Sequence, residues 1–471
     1  MLALAPVAAA QDAPAAGSGA TAPSQAVAPA SGASGEGNAP VASDAAQGPA
    51  WTLSTAIEKA VTSHPVVAAA RAGVDEFEAK LTAAELAWLP RLSSEGYVSG
   101  TPTKEGNPLV GHTDYDQWGP YASFEMSGIM PIFTFGKISS LKDMASAGVD
   151  VGNAQVQIAQ LAVETMVVQA YTSLQFAGRM TDILGEGEKY LARARKYLEK
   201  LRDEDSQEFD DVDMLRLKVY ESEVSSRRLD TARMKRVALA ALMLLTGQLE
   251  SSFEPMPAAA PYPVELALLD EYIATALQRR GEMAVLLAAQ RAQDARVSLE
   301  TARFFPDLFI GGFVSIAKAW AIEEQPSPFA YDPYNSWFAG AGLGLKWDFA
   351  LGDRIGGLDE QRATARKLAA QQEALGQKIT IEVVEAFQEL KDLQEKIVLD
   401  RKAYKAAQGW LIARMDLYES GMAEMRDLSD ALTEFFKRKG QYESTVMTHN
   451  VAVARLAHAC GQRLQDLTKI E

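Results

Sequence analysis

The sequence predicts a mainly α-helical fold with a small β part, duplicated within one chain. Three observations carry this. Two stretches, from Gly136 to about Leu201 and from Gly352 to about Ser420, contain no proline. At roughly 65 residues each and 1.5 Å per residue they make rods of about 100 Å, far beyond the three or four turns of an ordinary globular helix. Pro90 and Pro306 stand 216 positions apart, and the same offset joins Ala60 to Ala276, Gly96 to Gly312, Phe133 to Phe349, Gly136 to Gly352 and Leu174 to Leu390. Short segments of alternating character precede each rod, and that period of two belongs to strands.

The N-terminal residues 1–10 read as a truncated signal peptide. The run LALAPVAAA ends in small residues before Gln11, as a cleavage site requires, although no Lys or Arg occurs before Lys59. Residues 11–50 are mostly Ala, Pro, Gly and Ser, with no aromatic residue. Such a tether cannot bury enough apolar surface to offset its ordering entropy.

The first repeat spans 51–250. A short helix, Leu53 to Ser63, ends at the His64-Pro65 step, and proline suits the first turn of the next helix, Pro65 to Leu89, which Pro90 stops. Extended segments follow at Arg91–Gly100 and Tyr121–Phe133, with a Gly/Pro/Asn loop between them. Then come the first rod, a turn near Asp203–Asp213 and a return helix to Thr246. Near the rod's end Leu184, Gly187, Leu191, Ala194, Leu198 and Leu201 step by three and four, the narrow seam of a coiled coil. A Pro-rich link, 251–264, joins the second repeat, 265–471. Its helices are expected at Leu266–Arg280 and Glu282–Phe304, its extended segments at Asp307–Ala317 and Trp337–Phe349, and its rod from near Asp353. A turn at Gly421 and a last helix, Met425–Gly461, complete it. Gly247-Gln248 answers Gly461-Gln462 at an offset of 214.

A formal net charge of −16 argues against a nucleic-acid partner, which needs a basic face. No run of about 20 apolar residues offers a transmembrane helix. The one cysteine, Cys460, shares a helical face with Phe435, Tyr442, Val446 and Val453 and reads as a small buried residue. The four histidines are scattered without metal-ligand spacing. Gly340, Gly342 and Gly344 alternate on a strand, not in a phosphate-binding turn. Catalytic residues, cofactor sites and metal sites are all expected to be none, so the chain is not expected to be an enzyme.

On the second extended segments, Ala122, Phe124, Met126 and Gly128 face one way, and Tyr121, Ser123, Glu125 and Ser127 the other. In the later copy Trp337, Ala339, Ala341, Leu343, Leu345 and Trp347 oppose Gly340, Gly342, Gly344 and Lys346. Trp337 and Trp347 would then be membrane-interface aromatics bounding a lipid-facing strand. A half-buried strand of a soluble sheet shows the same period. Four strands cannot close a barrel, and an open edge in lipid leaves backbone groups unpaired. Strands that enter a membrane therefore require several chains to share one barrel.

Two turns carry clustered carboxylates: Asp203, Asp205, Glu208, Asp210, Asp211 and Asp213 in the first, Glu424 and Asp427 in the second. Repeated around an oligomer they would form acidic rings that favour cations; a solvated acidic turn is the plain alternative.

The stretches HPVVAAARAGVDEFEAKLTAAELAWLPRL (His64–Leu92), PIFTFG (Pro131–Gly136), LYESGMAEMRDLSDAL (Leu417–Leu432) and ACGQ (Ala459–Gln462) resemble signatures of the TolC-type outer membrane efflux protein family, from about Trp51 to the end. The resemblance implies a homotrimer in the cell outer membrane. Each chain would give four strands to one twelve-stranded transmembrane β-barrel, and its helices to an α-helical barrel in the periplasm. It implies a passive conduit for drugs or secreted substrates, served by an inner-membrane transporter through a periplasmic adaptor (membrane fusion) protein. Adaptor contact is implied at the turn Ser420, Gly421. The first turn departs from the family pattern, having no glycine and many carboxylates. The rival reading is a periplasmic coiled-coil stalk or scaffold without a pore.

Overall fold

The computed structural model describes residues 52–106, 110–205, 209–248, 260–325, 329, 331–420, 422 and 424–468. The signal and tether expectations, most of the link, Glu208 and Gly421 lie outside these residues. Among them the order is α1 (Leu53–Ser63), α2 (Pro65–Glu85), β1 (Arg91–Gly106), β2 (Gly111–Phe133), α3 (Lys137–Asp203) and α4 (Asp211–Thr246). The same order then recurs as α5 (Leu269–Arg279), α6 (Gly281–Ala302), β3 (Asp307–Ala319), β4 (Ser336–Lys346), α7 (Leu351–Glu419) and α8 (Met425–Ala459), followed by α9 (Leu464–Leu467).

Local chemistry sets the boundaries. The Thr52 side chain accepts from Thr55 N at 3.2 Å and opens α1. His64 Nδ1 accepts from Val66 N at 3.2 Å, and Pro65 occupies the first turn of α2. That helix stops at Glu85, short of the expected Leu89, and turns lead to Pro90. Gly136 (φ +92) starts α3 from a left-handed conformation. Its counterpart Gly352 does not repeat this: α7 begins one residue earlier, at Leu351, with Ala350 as cap, so Gly352 is helical.

The two long helices have 67 and 69 residues, about 100 Å each. Each is flanked along its first part by a short helix and along its last part by a return helix. Phe77 of α2 lies over Gly148 and Gly152 of α3, where an added Cβ would stand 2.8 and 3.1 Å from its ring. Further along, α4 is tied to α3 by Arg195–Glu221 and by Arg228–Glu188 at 2.8 Å. In the second half, the Gln293 amide of α6 donates to Gln361 O and Oε1 of α7, both at 3.0 Å.

The main core lies where these layers meet. Val163, Val167 and Val168 of α3, Leu242 of α4, Ile379, Val383 and Leu390 of α7, and Val453 and Leu456 of α8 are fully buried there. Cys460 is in this core, and burial pushes its thiol up to about 12, so it packs as a neutral apolar group. A smaller core of Ala407, Leu411, Ala431 and Phe435 holds α7 to α8 nearer their turn.

The corner between α5 and α6 is gripped from several sides. Gly461 (φ +67) follows α8 and presses on it so closely that a Cβ would sit 2.8 Å from the Arg279 carbonyl carbon. Arg280, 9 % exposed, pairs there with Glu282 at 3.0 Å and with Glu382 of α7.

The sheet has the order β1-β2-β3-β4, antiparallel throughout. The first hairpin is much longer than expected. The stretch read as a loop, 101–114, is mostly strand: pairing continues past a register shift at Pro102/Thr103 to Gly106↔Gly111. The chain after β3 supports this extension. Lys104 N donates to Ala321 O, and Glu323 N to Lys104 O, both at 3.0 Å. Lys104 Nζ meets Tyr334 Oη at 2.9 Å.

Candidate functional site

Direct partners in an antiparallel ladder stand on the same side of the sheet, so the register assigns its two faces. Gly96, Phe124, Ile316 and Trp337 form one row. Ser94, Met126, Val314 and Ala339 form the next, and Met130, Ile310 and Leu343 a further one. Apart from Ser94 this face is apolar across four strands, and none of the described residues covers it. Val98 is 78 %, Trp337 68 % and Leu343 81 % exposed. The opposite face is polar toward β1 and β2. Ser93 and Ser127 share a hydrogen bond at 2.8 Å, and Glu125 stands between Glu95 and Ser315. An apolar face of this extent open to water is uncommon in a soluble monomer, whereas an apolar-out, polar-in alternation is the pattern of a transmembrane barrel wall. Among the described residues the outermost strands, β1 and β4, each have one unpaired edge.

Of the two tryptophans singled out by the sequence, Trp337 is on β4 and on the apolar face. Trp347 lies one residue past β4, where its indole N–H donates to Phe304 O at 3.1 Å and its ring meets Phe349 at 4.2 Å between centroids. Around it, where strands pass into helices, a group of aromatic rings was not foreseen. Phe135 packs on Phe133 at 4.7 Å and stacks on Phe305 at 5.2 Å, and Phe349 is 65 % exposed. Phe135 has φ +50, a left-handed residue directly before Gly136. The sequence signal was PIFTFG itself, whose phenylalanines alternate with small residues.

At the other end of the long helices the carboxylates are distributed among helix-end duties. Asp203 closes α3 beside Arg202 (3.4 Å). Asp205 takes φ +52, so the left-handed position that a glycine would supply is filled by aspartate, one of the few residues that tolerate it. Asp210 caps α4 by accepting from Val212 N at 2.8 Å. Asp211 and Asp213 occupy its first turn, where the helix dipole favours negative charge, and Asp213 pairs with Arg216 at 3.3 Å. In the second turn Ser420 caps α7, its hydroxyl donating to Asp416 O at 2.7 Å. Glu424 precedes α8, and its carbonyl accepts from Asp427 N at 3.1 Å. Asp427 reaches across the turn to Arg414 of α7 at 3.0 Å.

Both turns border one cavity of about 770 Å³ among α3, α4, α7 and α8. Its walls include Tyr190, Tyr197, Tyr418 and Phe436, with Asp213 and Arg216 among the polar residues. The seam residues Leu184, Gly187, Leu191, Ala194 and Leu198 line it as well. The seam therefore faces α8 as well as α4: Gly187 is opposite Phe436.

Among the described residues no helix is long and apolar enough to cross a membrane, and no three His, Cys, Asp or Glu side chains are placed to hold a metal ion.

Residues 272–462 match the family model described as outer membrane efflux protein. No curated protein sequence matches the chain. Among solved structures, the outer-membrane channel OprN superposes with a TM-score of 0.72 at 18 % identity, covering 88 % of this chain and 90 % of that one. CusC, whose structures are described in terms of transmembrane channel formation, superposes at 0.71 and 18 %, covering 87 % and 92 %. The outer membrane protein VceC of Vibrio cholerae gives 0.70 and 17 %, covering 88 % and 96 %. Likeness at this identity fixes the fold: long helices and a few strands, in the arrangement of these channels.

Proposed function

We propose, from the match of residues 272–462 to the outer membrane efflux protein model, that the chain belongs to this family and is the outer-membrane channel of a trans-envelope export machine. It is a passive conduit from an inner-membrane transporter, by way of a periplasmic adaptor protein, to the outside. One observation carries the reading: an apolar, exposed face runs in register across all four strands and ends, through β2 and β4, at the starts of helices about 100 Å long. The face belongs in the outer membrane and the helices in the periplasm.

The two unpaired edges set the oligomer. Edge N–H and C=O groups cannot stay unpaired in hydrocarbon, so β1 of one copy pairs with β4 of the next. Three copies give twelve strands, a trimer around one watery passage. The acidic turns then repeat threefold at the periplasmic mouth. Asp210 and Asp211 supply charge there, while Asp203, Asp213 and Asp427 are held beside arginines. Ser420 and Gly421 are the turn offered to the adaptor.

Membrane fractionation followed by sizing in detergent tests the assignment. A trimer extracted from outer membranes is expected; a soluble monomer would favour a stalk without a pore. Single-channel recording in planar bilayers tests the mouth. Cation preference is expected to fall when Asp210, Asp211 and Asp213 are changed to Asn, and a preference unchanged by these substitutions removes them from that role.

A further inference from the structure

The apolar face does not end at Trp337. Along β3 it runs Leu308, Ile310, Gly312, Val314 and Ile316, and then meets Lys318 on the same side. Lys318 is ion-paired with Glu324. Charge on a lipid-facing position is costly within hydrocarbon and cheap at its edge, so Lys318 marks where hydrocarbon stops. Trp337, in the row just below, is where an interfacial tryptophan belongs.

Two more tryptophans stand beyond that mark. Trp320 follows Lys318 by two residues, and its N–H donates to Pro120 O at 3.0 Å, which continues the β2–β3 register outward. Trp118 is two residues past Pro120 on the same side of β2, its indole N–H donating to Tyr115 O at 2.8 Å. Each is 63 % exposed. The two segments are pressed together: a Cβ on Gly119 would stand 2.2 Å from that of Ala321. Trp118 lies four residues beyond Ala122, the partner of Lys318. That is about 13 Å along the strand, and about 10 Å in height at the usual barrel tilt. Phospholipid headgroups add only about 5–8 Å on each side of the hydrocarbon. Trp118 therefore overtops a phospholipid surface.

On the reading that this face meets the outer membrane, we propose that Trp118 and Trp320 bind the saccharide headgroup of outer-leaflet glycolipid. The indole faces stack on the apolar C–H faces of sugar rings, and the Lys318–Glu324 pair, set below them at the hydrocarbon edge, offers polar partners to the glycolipid's phosphate groups. Continuity with the lipid-facing rows, and the height of Trp118, which only a thick sugar layer reaches, select this occupant.

The test uses full-length chains that keep one tryptophan each, Trp118 or Trp337, the others changed to Phe. Acrylamide quenching is measured in phosphatidylethanolamine–phosphatidylglycerol bilayers with and without lipopolysaccharide. Quenching of Trp118 is expected to fall at least about threefold when lipopolysaccharide is present, while Trp337 stays protected in both. Equal quenching of Trp118 in both bilayers, whether high or low, overturns the proposal. Strong quenching of Trp337 in both defeats the membrane reading itself, a separate failure. If single-tryptophan chains do not fold, the native chain and the pair W118A/W320A are compared for lipid A retained through purification. A loss of at least about threefold supports the proposal, and unchanged retention overturns it.

Discussion

Leu343 is the most direct place to ask whether the exposed apolar face meets lipid. It stands on β4 between Trp337 and Trp347 and is paired with Ile310. Six residues separate it from one tryptophan and four from the other, which puts it near the middle of the band they bound. In one copy it is 81 % exposed, and none of the described residues packs over it. If the face meets water, Leu343→Arg belongs to the surface substitutions that change stability by about 0.5 kcal/mol or less. If it meets hydrocarbon, arginine near the midplane costs about 2–4 kcal/mol, a factor of roughly 30 to 1,000 in the folding equilibrium. Gly342→Arg is the internal control. Gly342 is next in sequence but on the opposite face, and a Cβ there would meet nothing within 4 Å. The assay is urea unfolding of the two variants in phospholipid vesicles, read by heat-modifiable migration and by circular dichroism. A deficit for Leu343→Arg at least about 1.5 kcal/mol larger than for Gly342→Arg is expected. Equal effects would refute the assignment of faces, and a larger effect at Gly342 would invert it.

Four further outcomes follow from particular residues. Gly461→Ala places a Cβ 2.8 Å from the Arg279 carbonyl and 2.9 Å from Arg280 Cα at φ +67; backbone atoms cannot rotate aside, so a loss of about 3 kcal/mol is expected by denaturant unfolding. Gly185→Ala, in open space on α3, is expected to gain about 0.5–1 kcal/mol in the same assay. Asp332 accepts from the backbone N–H groups of Tyr334, Asn335 and Gln325 at 2.9, 3.0 and 3.1 Å. Desolvation opposes its charge, but these N–H groups prevail and hold its carboxyl below the usual range. Its contribution is thus present above the unfolded carboxylate value of about 3.9 and lost as pH falls through the lower folded value; Asp332→Asn is expected to weaken the loop at neutral pH and to flatten that acid dependence in thermal melts. Cys460, buried and with its thiol pushed up to about 12, is expected to resist maleimide at pH 8 until the helices unfold, which a labelling time course under graded urea would check.

The rods were legible because nothing interrupts them. No proline falls between Gly136 and Leu201 or between Gly352 and Ser420, and the seam spacing named the residues that turned out to line the cavity between the helix pairs. The strand faces were legible for the same reason: alternation is local. What escaped depended on remote partners. Thr101 to Gly106 looks like a loop on composition, yet it pairs on one side with β2 as far as Gly106↔Gly111 and is held on the other by Ala321 and Glu323, more than 200 residues away in sequence. The acidic turn read as one undivided charge run. Its members were separated only by what each meets: an N–H at Asp210, Arg216 at Asp213, and a left-handed bend at Asp205. Gly352 misled in the opposite direction, since sequence offset aligned it with a turn glycine while the backbone made it helical.

The bare rims of β1 and β4 have a genetic meaning as well as a geometric one. In the proposed trimer each subunit must both give and receive a rim, so a single chain with a spoiled β4 leaves the ring open however sound its siblings are. Expressed alongside an equal amount of intact chain, such a variant would be excluded by chance from only about one trimer in eight. Damage at this seam should behave as dominant, whereas damage confined to the helical interior should be diluted by the healthy copies.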